Sequence, residues 1–404
     1  MSTQRRTPGE VSAAQPSSSP DASMLVAGRF NRTALLITAN ACMFVFGAVL
    51  LLMGSLLPSL QVSYSQAGNL GSFPLAGILL ATVLVGPVLD LAGAKPVLTA
   101  ALALIAASLA LMPALHSYRG LALAAFSYGV GGGILNTAAN ALVADLSVSN
   151  RAAALNLLGF FFSLGAISAP LAFSSFAGKL PATFVLRGLA LLCSLLFVLA
   201  LGLRFPRGSK RGSSLAGLLA VLNYPVVWLF AALLFFESGS ENCMFVWAGK
   251  IVADTLHTTP ERANLALVAL SAALGVGRLL AVLWLRWLGS RRTIWFSAAI
   301  TVAGTLLAMN LRQFSGMIAG MLVIGLGLSA IFPTALGMAG DRFPQETGTV
   351  FGTIMAVALV GGTAGPKLAG WAASHGPLQV LWIPLLAAVM VSALTLTLSA
   401  RTSG

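Results

Sequence analysis

The chain has 404 residues, of which 58% are hydrophobic and only 8% are charged, and its formal net charge is +13. A soluble domain carries about 25% charged residues, so this composition excludes an ordinary water-soluble fold and indicates that lipid is the solvent for most of the chain. The basic residues form short clusters between apolar runs rather than one patch among aromatics. That pattern excludes a nucleic-acid-binding surface and is typical of topology determinants.

The first 23 residues are polar, rich in Ser, Ala and Pro, and show no hydrophobic period. We predict that residues 1–30 form a disordered cytoplasmic tail. Arg5 and Arg6 are followed by polar residues rather than by an apolar core, so the tail lacks the features of a secretory signal peptide. The first membrane helix is therefore expected to act as an uncleaved anchor.

Twelve apolar segments follow the tail, and each is long enough to cross a bilayer, which takes ~20 residues. We predict membrane-spanning helices at 35–60, 68–91, 95–113, 119–145, 151–176, 182–203, 225–250, 263–288, 292–310, 314–340, 347–373 and 378–399. Most of the connections are very short, which predicts that consecutive helices are antiparallel neighbours. The segments are rich in Gly, Ala, Ser and Thr, as close helix contact in lipid requires.

An even number of spans places both ends of the chain on one side of the membrane. Most of the 23 Lys and Arg residues lie on that side, including the basic stretch RFPRGSKRGSS after the sixth span. The positive-inside rule then places both termini in the cytoplasm. The short loops favour a multi-pass protein of a bacterial inner membrane.

A weak internal repeat relates the two halves of the chain. A shift of 196 positions superposes several turn, kink and loop-end residues: Gly93 on Gly289, Gly129 on Gly325, Gly131 on Gly327, Asp145 on Asp341 and Pro170 on Pro366. Backbone geometry demands a particular residue type at such places. We predict an all-α membrane protein of twelve transmembrane helices in two pseudo-symmetric six-helix bundles, at 31–203 and 223–404, joined by a cytoplasmic linker at 204–222. Secondary transporters of one large class have this plan, with the solute site between the halves.

The loop after the second predicted helix reads GPVLDLAGAKP. It resembles the G-x-x-x-D-x-x-G-x-[RK] motif of the major facilitator superfamily, with Gly86, Asp90, Gly93 and Lys95 at the motif positions. The resemblance implies a motif that gates the conformational change. Gly86 would allow close helix contact, Asp90 would cap or pair near a helix end, and Gly93 would turn the chain. An ordinary tight loop is the simpler alternative.

Two further runs, YGVGGGILNTAANALVADL at 128–146 and GTAGPKLAG at 362–370, resemble the fucose permease-like sugar transporter branch of that superfamily. The general resemblance covers nearly all of residues 30–400 and implies the same fold and a sugar-like solute. Fucose permease carries acidic residues where this chain has Gly54 and Asn136, and its family has a polar Asn where this chain has Phe162. Fucose specificity and the same proton pathway therefore do not follow.

Three ionisable residues lie inside predicted helices, where such groups are costly and usually functional. Glu237 and Glu241 are four residues apart in the seventh helix, hence on one face, and Arg278 lies at a similar depth in the eighth. One of the two glutamates would form a fixed ion pair with Arg278 that holds the two helices together. The remaining glutamate would face the cavity, where it carries a coupling proton, binds Na⁺ or binds a sugar hydroxyl. Glu241 is the preferred coupling residue, because the resembling branch tends to carry Glu before the Trp of this helix; Glu237 is the second candidate.

A sugar site uses amides and acids for hydroxyl groups and an aromatic platform for the ring. The candidate substrate-binding residues are Asn136, Asn140, Asn156, Glu237, Glu241, Trp247, Arg278 and Phe332. For any single aromatic, helix packing or lipid contact is the simpler role. Lys367 either snorkels to the outer interface or faces the cavity, where it would favour an anionic substrate.

These patterns predict a secondary active transporter of a small polar, sugar-like solute, driven by a gradient of H⁺ or Na⁺ and needing no other cofactor. The alternative is an efflux pump for drugs or hydrophobic metabolites. No nucleotide-binding P-loop, HExxH motif or membrane histidine occurs in the sequence, which argues against an ATP-driven pump and against an enzyme. The three isolated cysteines predict neither a disulfide nor a metal site. The expected partners are the solute and the lipid bilayer, and the expected state is a monomer.

Overall fold

The computed structural model describes residues 30–147, 151–175, 182–206, 223–343 and 347–402. Its helices are α1 Arg32–Leu56, α2 Tyr64–Ala92, α3 Ala94–Leu111, α4 Tyr118–Leu146, α5 Arg151–Ser175, α6 Ala182–Gly202, α7 Pro225–Leu256, α8 Pro260–Asn310, α9 Phe314–Leu328, α10 Ile331–Arg342, α11 Thr347–Ala373 and α12 Trp382–Thr402. Twelve stretches of these described residues are long and apolar enough to cross a membrane. The predicted all-α fold with twelve spans is confirmed. Most of the predicted linker and nearly all of the predicted tail lie outside the described residues.

The span boundaries agree with the prediction to within a few residues, with three differences. Helix α8 contains two predicted spans, because only Gly289 leaves helical geometry between them. The tenth predicted span is divided into α9 and α10 at residues 329–330. Helix α7 continues to Leu256 rather than ending at Lys250, and a salt bridge of 3.0 Å between Lys250 and Asp254 one turn later stabilises this extension.

The internal repeat of the sequence is also a repeat of structure. Gly93 and Gly289 turn the chain with nearly the same backbone angles, φ 79° and ψ 169° against φ 72° and ψ 165°. Close glycine contacts obey the same shift of 196 positions: Gly129 on Pro74 and Gly325 on Leu270, Gly131 on Ile105 and Gly327 on Thr301. Helices of the first half thus pack on one another as their counterparts in the second half do.

The two halves meet closely at the side of the membrane opposite the chain ends, where α1 and α7 end and α2 begins. Gly54 of α1 lies so tightly against Phe245 of α7 that an added Cβ would overlap the Phe245 carbonyl oxygen. A Cβ added to Gly68 of α2 would lie 2.8 Å from the Pro366 carbonyl oxygen and 2.9 Å from the Gly370 Cα, both on α11. Only glycine permits these backbone approaches.

Polar groups tie the same contact together. The buried Asn264 side chain of α8 donates a hydrogen bond of 3.0 Å to the Ser55 carbonyl of α1. The Tyr64 ring of α2 lies 5.6 Å from the Lys250 Nζ and 6.3 Å from the Trp247 ring, both on α7. We call the contact between the halves the distal contact; its residues are Gly54, Ser55, Tyr64, Gly68, Phe245, Trp247, Lys250, Asn264 and Gly370.

Toward the side of the chain ends the packing is loose. A Cβ added to Gly86 of α2, Gly159 of α5 or Gly352 of α11 would meet nothing within 4 Å in the part of the chain that the structure describes. These glycines lie in the halves of their helices nearest the chain ends. The close glycine contacts between the halves of the described chain thus lie at the distal contact.

Candidate functional site in the centre of α7

The close crossing of α7 and α11 at glycine residues determines which way the acidic side chains of α7 point. Gly239 of α7 packs against Gly361 and Gly365 of α11, and its Cβ would lie 3.1 Å from the Gly361 carbonyl oxygen. At about 100° per residue, Glu237 and Glu241 lie about 160° around the helix from Gly239. The crossing therefore turns both glutamates away from α11.

Glu237 is buried in the membrane interior, where Glu241 of the same helix and Arg278 of α8 are the charged groups that act on it. Its side chain belongs to a residue that is 1% exposed, and neither carboxyl oxygen has a hydrogen-bond partner among the described residues. At 1.5 Å per residue, Glu237 lies about 18 Å from the start of α7 and about 28 Å from its end. An ionised carboxylate without partners is costly in such surroundings.

Glu241 forms a loose ion pair with Arg278 of α8. The Glu241 Oε1 lies 3.5 Å from the Arg278 Nη2, and the two side chains are 13% and 36% exposed. A tight charge-assisted bond of this kind measures about 2.7–2.9 Å. A guanidinium has five N–H donors, and this contact is a single one. Most of the N–H donors of Arg278 are thus not bonded to Glu241.

The exposed part of Arg278 faces the interior of the transmembrane bundle. The exposed apolar residues of this part of α8 are Val276, Leu279, Leu280 and Leu283, and they form one stripe along the helix. By helical geometry, Arg278 lies about 140° from the centre of that stripe. Lipid covers the apolar stripe, so the exposed third of the Arg278 side chain opens on the cavity between the helices.

The structure decides between the two glutamates as partners of Arg278. Glu241 is the member of the ion pair, and Glu237 is the glutamate left over. The expectation that the leftover glutamate faces the cavity is wrong for this conformation, because Glu237 is fully buried. Glu241, although paired, is the glutamate that retains contact with the cavity. Periodicity placed both residues on one helix face but could not show which one the neighbouring helices cover.

Amide side chains provide polar groups on the first half. Asn136 and Asn140 of α4 are partly buried, and the Asn140 Nδ2 donates to the Asn136 carbonyl at 2.8 Å and to its Oδ1 at 3.0 Å. Asn40 of α1 is 8% exposed; its Nδ2 donates to the Leu36 carbonyl, and its Oδ1 is buried without a partner among the described residues. The side chain of Asn156 lies outside the described residues. No hydrogen bond joins these amides to the acidic cluster within the described chain.

The two aromatic candidates have packing roles in this conformation. Trp247 is 1% exposed, and its indole Nε1 donates to the Pro366 carbonyl at 3.1 Å, so the ring lies within the distal contact. Phe332 of α10 is partly buried and packs on an apolar cluster of the second half. Their role as sugar platforms stays a prediction. Asn264, which the sequence interpretation did not single out, could have been found as a polar residue in an otherwise apolar stretch.

Lys367 lies on the outer stripe of α11 rather than beside the acidic cluster. It is exposed, as are Val360 and Trp371, which share that face of the helix. An exposed Trp one turn from a lysine near a helix end is typical of the membrane–water interface. This placement matches the snorkelling interpretation.

The motif at 86–96 is only partly formed in this conformation. Gly93 has φ 79°, ends α2 and begins α3, which confirms its predicted turn. The close helix contact expected at Gly86 is not formed, because a Cβ added there would meet nothing within 4 Å among the described residues. The side chain of Asp90 lies outside the described residues.

Lys95 contacts the end of α6. Its Nζ donates to the carbonyl oxygens of Leu201 and Leu203 at 2.7 Å and 2.9 Å. Carbonyls at a helix C-terminus lack helical partners and carry partial negative charge, so an ammonium group stabilises them. Lys95, the basic residue of the motif, therefore stabilises the end of α6, the helix that precedes the predicted linker.

Replacing Lys95 by Gln should lower the thermal unfolding temperature of the purified protein by a few degrees. Two charge-assisted hydrogen bonds at a partly buried helix end contribute about 1–2 kcal/mol. The matched control is Lys367→Gln, which removes an exposed lysine that has no hydrogen bond or ion pair among the described residues and should leave the temperature unchanged. Equal temperatures for the two variants would show that the Lys95 contact contributes nothing.

Comparisons with known proteins agree on one family. A sequence profile described as the Major Facilitator Superfamily matches residues 35–249 and 234–403. An uncharacterised MFS-type transporter of Yersinia pestis is 24% identical over 336 residues, which cover 83% of this chain and 83% of that protein. A crystal structure of a variant of the nucleoside transporter NupG matches with a TM-score of 0.77 at 14% identity, covering 91% of this chain and 99% of that one. The D-xylose-proton symporter matches with a TM-score of 0.74 at 15% identity, covering 89% and 97%. At these identities the solved structures show the fold alone.

Proposed function

The chain belongs to the Major Facilitator Superfamily and is a multi-pass membrane transporter, and we propose that it carries a small polar, sugar-like solute coupled to an ion gradient. The observation that carries the proposal is the cluster of Glu237, Glu241 and Arg278 in the centre of the bundle. Ionisable groups at this depth are expensive, and ion-coupled transport gives a reason to keep them.

The cluster suits proton coupling because its charges balance only with a proton present. Two carboxyl groups share one guanidinium, so one bound proton makes the set neutral. The burial of Glu237 favours the neutral acid there, and Glu241 keeps Arg278 as its ion-pair partner at 3.5 Å. Glu241 is the member that retains contact with the cavity, so it is the group that exchanges a proton with water. Sodium bound between the carboxylates is the alternative.

A sugar-like solute is supported by the amides of α4 and by two of the structurally similar transporters. Asn136 and Asn140 offer neutral hydrogen-bonding groups on the first half, and hydroxyl groups pair with such amides. The similar structures are named for a nucleoside and for D-xylose, both polar and sugar-containing. The motif resemblance to the fucose permease-like branch points the same way.

The proposed orientation follows from the distribution of charge. With most Lys and Arg residues on the side of the chain ends, that side is cytoplasmic. The distal contact then closes the outer face, and the structure is inward-facing. The membrane is proposed to be a bacterial inner membrane, and the working unit a monomer.

Vesicle uptake experiments test the proposed solute class. We expect labelled sugars or their derivatives to enter vesicles that contain the protein, and to accumulate when a pH or sodium gradient is imposed. Unlabelled polar solutes should compete, whereas lipophilic cations should not. Transport of lipophilic compounds alone would contradict the proposal and identify an efflux pump instead.

A further inference from the structure

We infer that the solute carries an anionic group, in the manner of a sugar acid, and that this group binds Arg278 in place of Glu241. The inference rests on the proposed function and narrows its solute class. Its structural basis is the Arg278 guanidinium in the centre of the membrane, which has one ion-pair contact among the described residues, with Glu241 at 3.5 Å. The same guanidinium is exposed to the cavity.

The first step is the capacity of Arg278 to bind. Its one ion-pair contact among the described residues is the 3.5 Å contact with Glu241, and its side chain is 36% exposed. A planar guanidinium binds a carboxylate or phosphate through two parallel N–H···O bonds. A loose single contact leaves that bidentate arrangement unused. A solute carboxylate approaching through the cavity can form it.

The second step is charge. Arg278 lies on the face of α8 opposite its exposed apolar stripe, so the guanidinium faces inward. An anion that reaches it leaves water for a partly buried site. An anion is stable there only if its charge is compensated. Arg278 supplies the positive charge, and neutral sugars lack the group that would use it. A neutral solute leaves most of the Arg278 donors facing water.

The third step is the competition with Glu241. Once the solute carboxylate occupies Arg278, Glu241 is an ionised carboxylate without its partner, one helical turn from Glu237. It takes up one proton from the cavity, and the net charge of the cluster is then the same as before binding. One solute anion and one proton thus enter the site together, which is symport.

The surroundings contain few other groups that could accept this proton. Within α7 the next charged residues, Lys250 and Asp254, pair with each other in and beside the distal contact. The sequences of α1, α5, α9, α10 and α12, which pack on α7 or α8, carry charged residues only at their ends. Lys367 of α11 lies on its outer stripe, and the thiols of Cys243 in α7 and Cys42 in α1 are buried. Glu237 and Arg278 are therefore the charged groups that bear on Glu241 in the described chain.

Thermal stabilisation of the purified full-length protein tests the inference, with glucose and glucuronate as a matched neutral and acidic pair. A bound ligand raises the unfolding temperature by mass action. We expect glucuronate to stabilise the protein, more strongly at mildly acidic than at mildly alkaline pH, and glucose at the same concentration to be at least about tenfold less potent, because it lacks the charge-assisted bonds.

Two variants separate the roles of the pair. Arg278→Gln should lose the glucuronate response, whereas Glu241→Gln should keep it and lose its pH dependence, since no competing carboxylate is left. The double variant, which leaves no unpaired charge, should fold and give no response. Equal stabilisation by glucose and glucuronate, or a glucuronate response that survives in Arg278→Gln, would overturn the inference while leaving a polar-solute transporter. A response to lipophilic cations alone would overturn the proposed function as well.

Discussion

Replacing Glu241 by Gln should abolish solute accumulation driven by an ion gradient, while exchange of solute across the same membrane continues. Glutamine has nearly the same shape but cannot bind and release a proton, so a solute-loaded transporter can still reorient without energy coupling. Glu241 is the glutamate that combines a charged partner, Arg278 at 3.5 Å, with contact to the cavity. The measurement is uptake against a concentration gradient and counterflow exchange in the same proteoliposomes.

Glu237→Gln provides the matched control one helical turn away. Glu237 is buried without a partner among the described residues, and an amide resembles the neutral acid that such surroundings favour. We expect this variant to keep gradient-driven accumulation. Loss of accumulation in Glu237→Gln with normal accumulation in Glu241→Gln would reverse the two roles.

Replacing Gly54 by Leu should open the distal contact and slow transport. A side chain there overlaps the Phe245 carbonyl oxygen, which is backbone and cannot turn aside. Overpacking of this kind costs about 1–3 kcal/mol, and such a free energy shifts a conformational equilibrium roughly 5- to 150-fold. The closed distal state is the one that loses population, and transport slows because each cycle must pass through that state.

A cysteine at position 246 can report the opening. The Val246 side chain lies against Gly71 across the distal contact and is 4% exposed, and the three native cysteines are buried. In Val246→Cys protein, a membrane-impermeant maleimide should react slowly, and faster when Gly54→Leu is added. Gly188→Leu, on an exposed face of α6 where an added Cβ would meet nothing within 4 Å among the described residues, is the matched control and should change neither labelling nor transport. Unchanged labelling in Gly54→Leu would show that this glycine does not hold the halves together.

The fold was predictable because its main determinants are local. Each span can be recognised in the sequence as a run of ~20 apolar residues. The turns at Gly93 and Gly289 recur because only glycine adopts that backbone conformation without strain. The longer α7 was not predicted, whereas the turn inside α8 falls at Gly289, between the two spans that were predicted there. A single non-helical residue suffices for the α8 turn, and pairing of Lys250 with Asp254 makes two charges acceptable within α7.

The candidate site was predictable in its residues and less so in their relations. The sequence predicted that Glu237, Glu241 and Arg278 lie close together, because they are at similar depths in two neighbouring predicted helices. Charged residues are rare in this chain, so these three were easily recognised. Which glutamate pairs with Arg278 depends on the rotation of α7, and that rotation is set by the crossing of Gly239 with α11. Such a contact between residues more than one hundred positions apart leaves no periodic pattern in either helix. The distal contact escaped prediction for the same reason.

The most direct measurement is of ion movement caused by the solute itself. Proteoliposomes that contain the protein are given a solute gradient but no ion gradient, and the internal pH is followed in the presence and absence of sodium. Coupling through the cluster predicts that solute flowing inward carries protons inward, and that Glu241→Gln abolishes the proton movement but not the solute movement. Solute flow without any accompanying proton or sodium movement would contradict ion coupling by these residues.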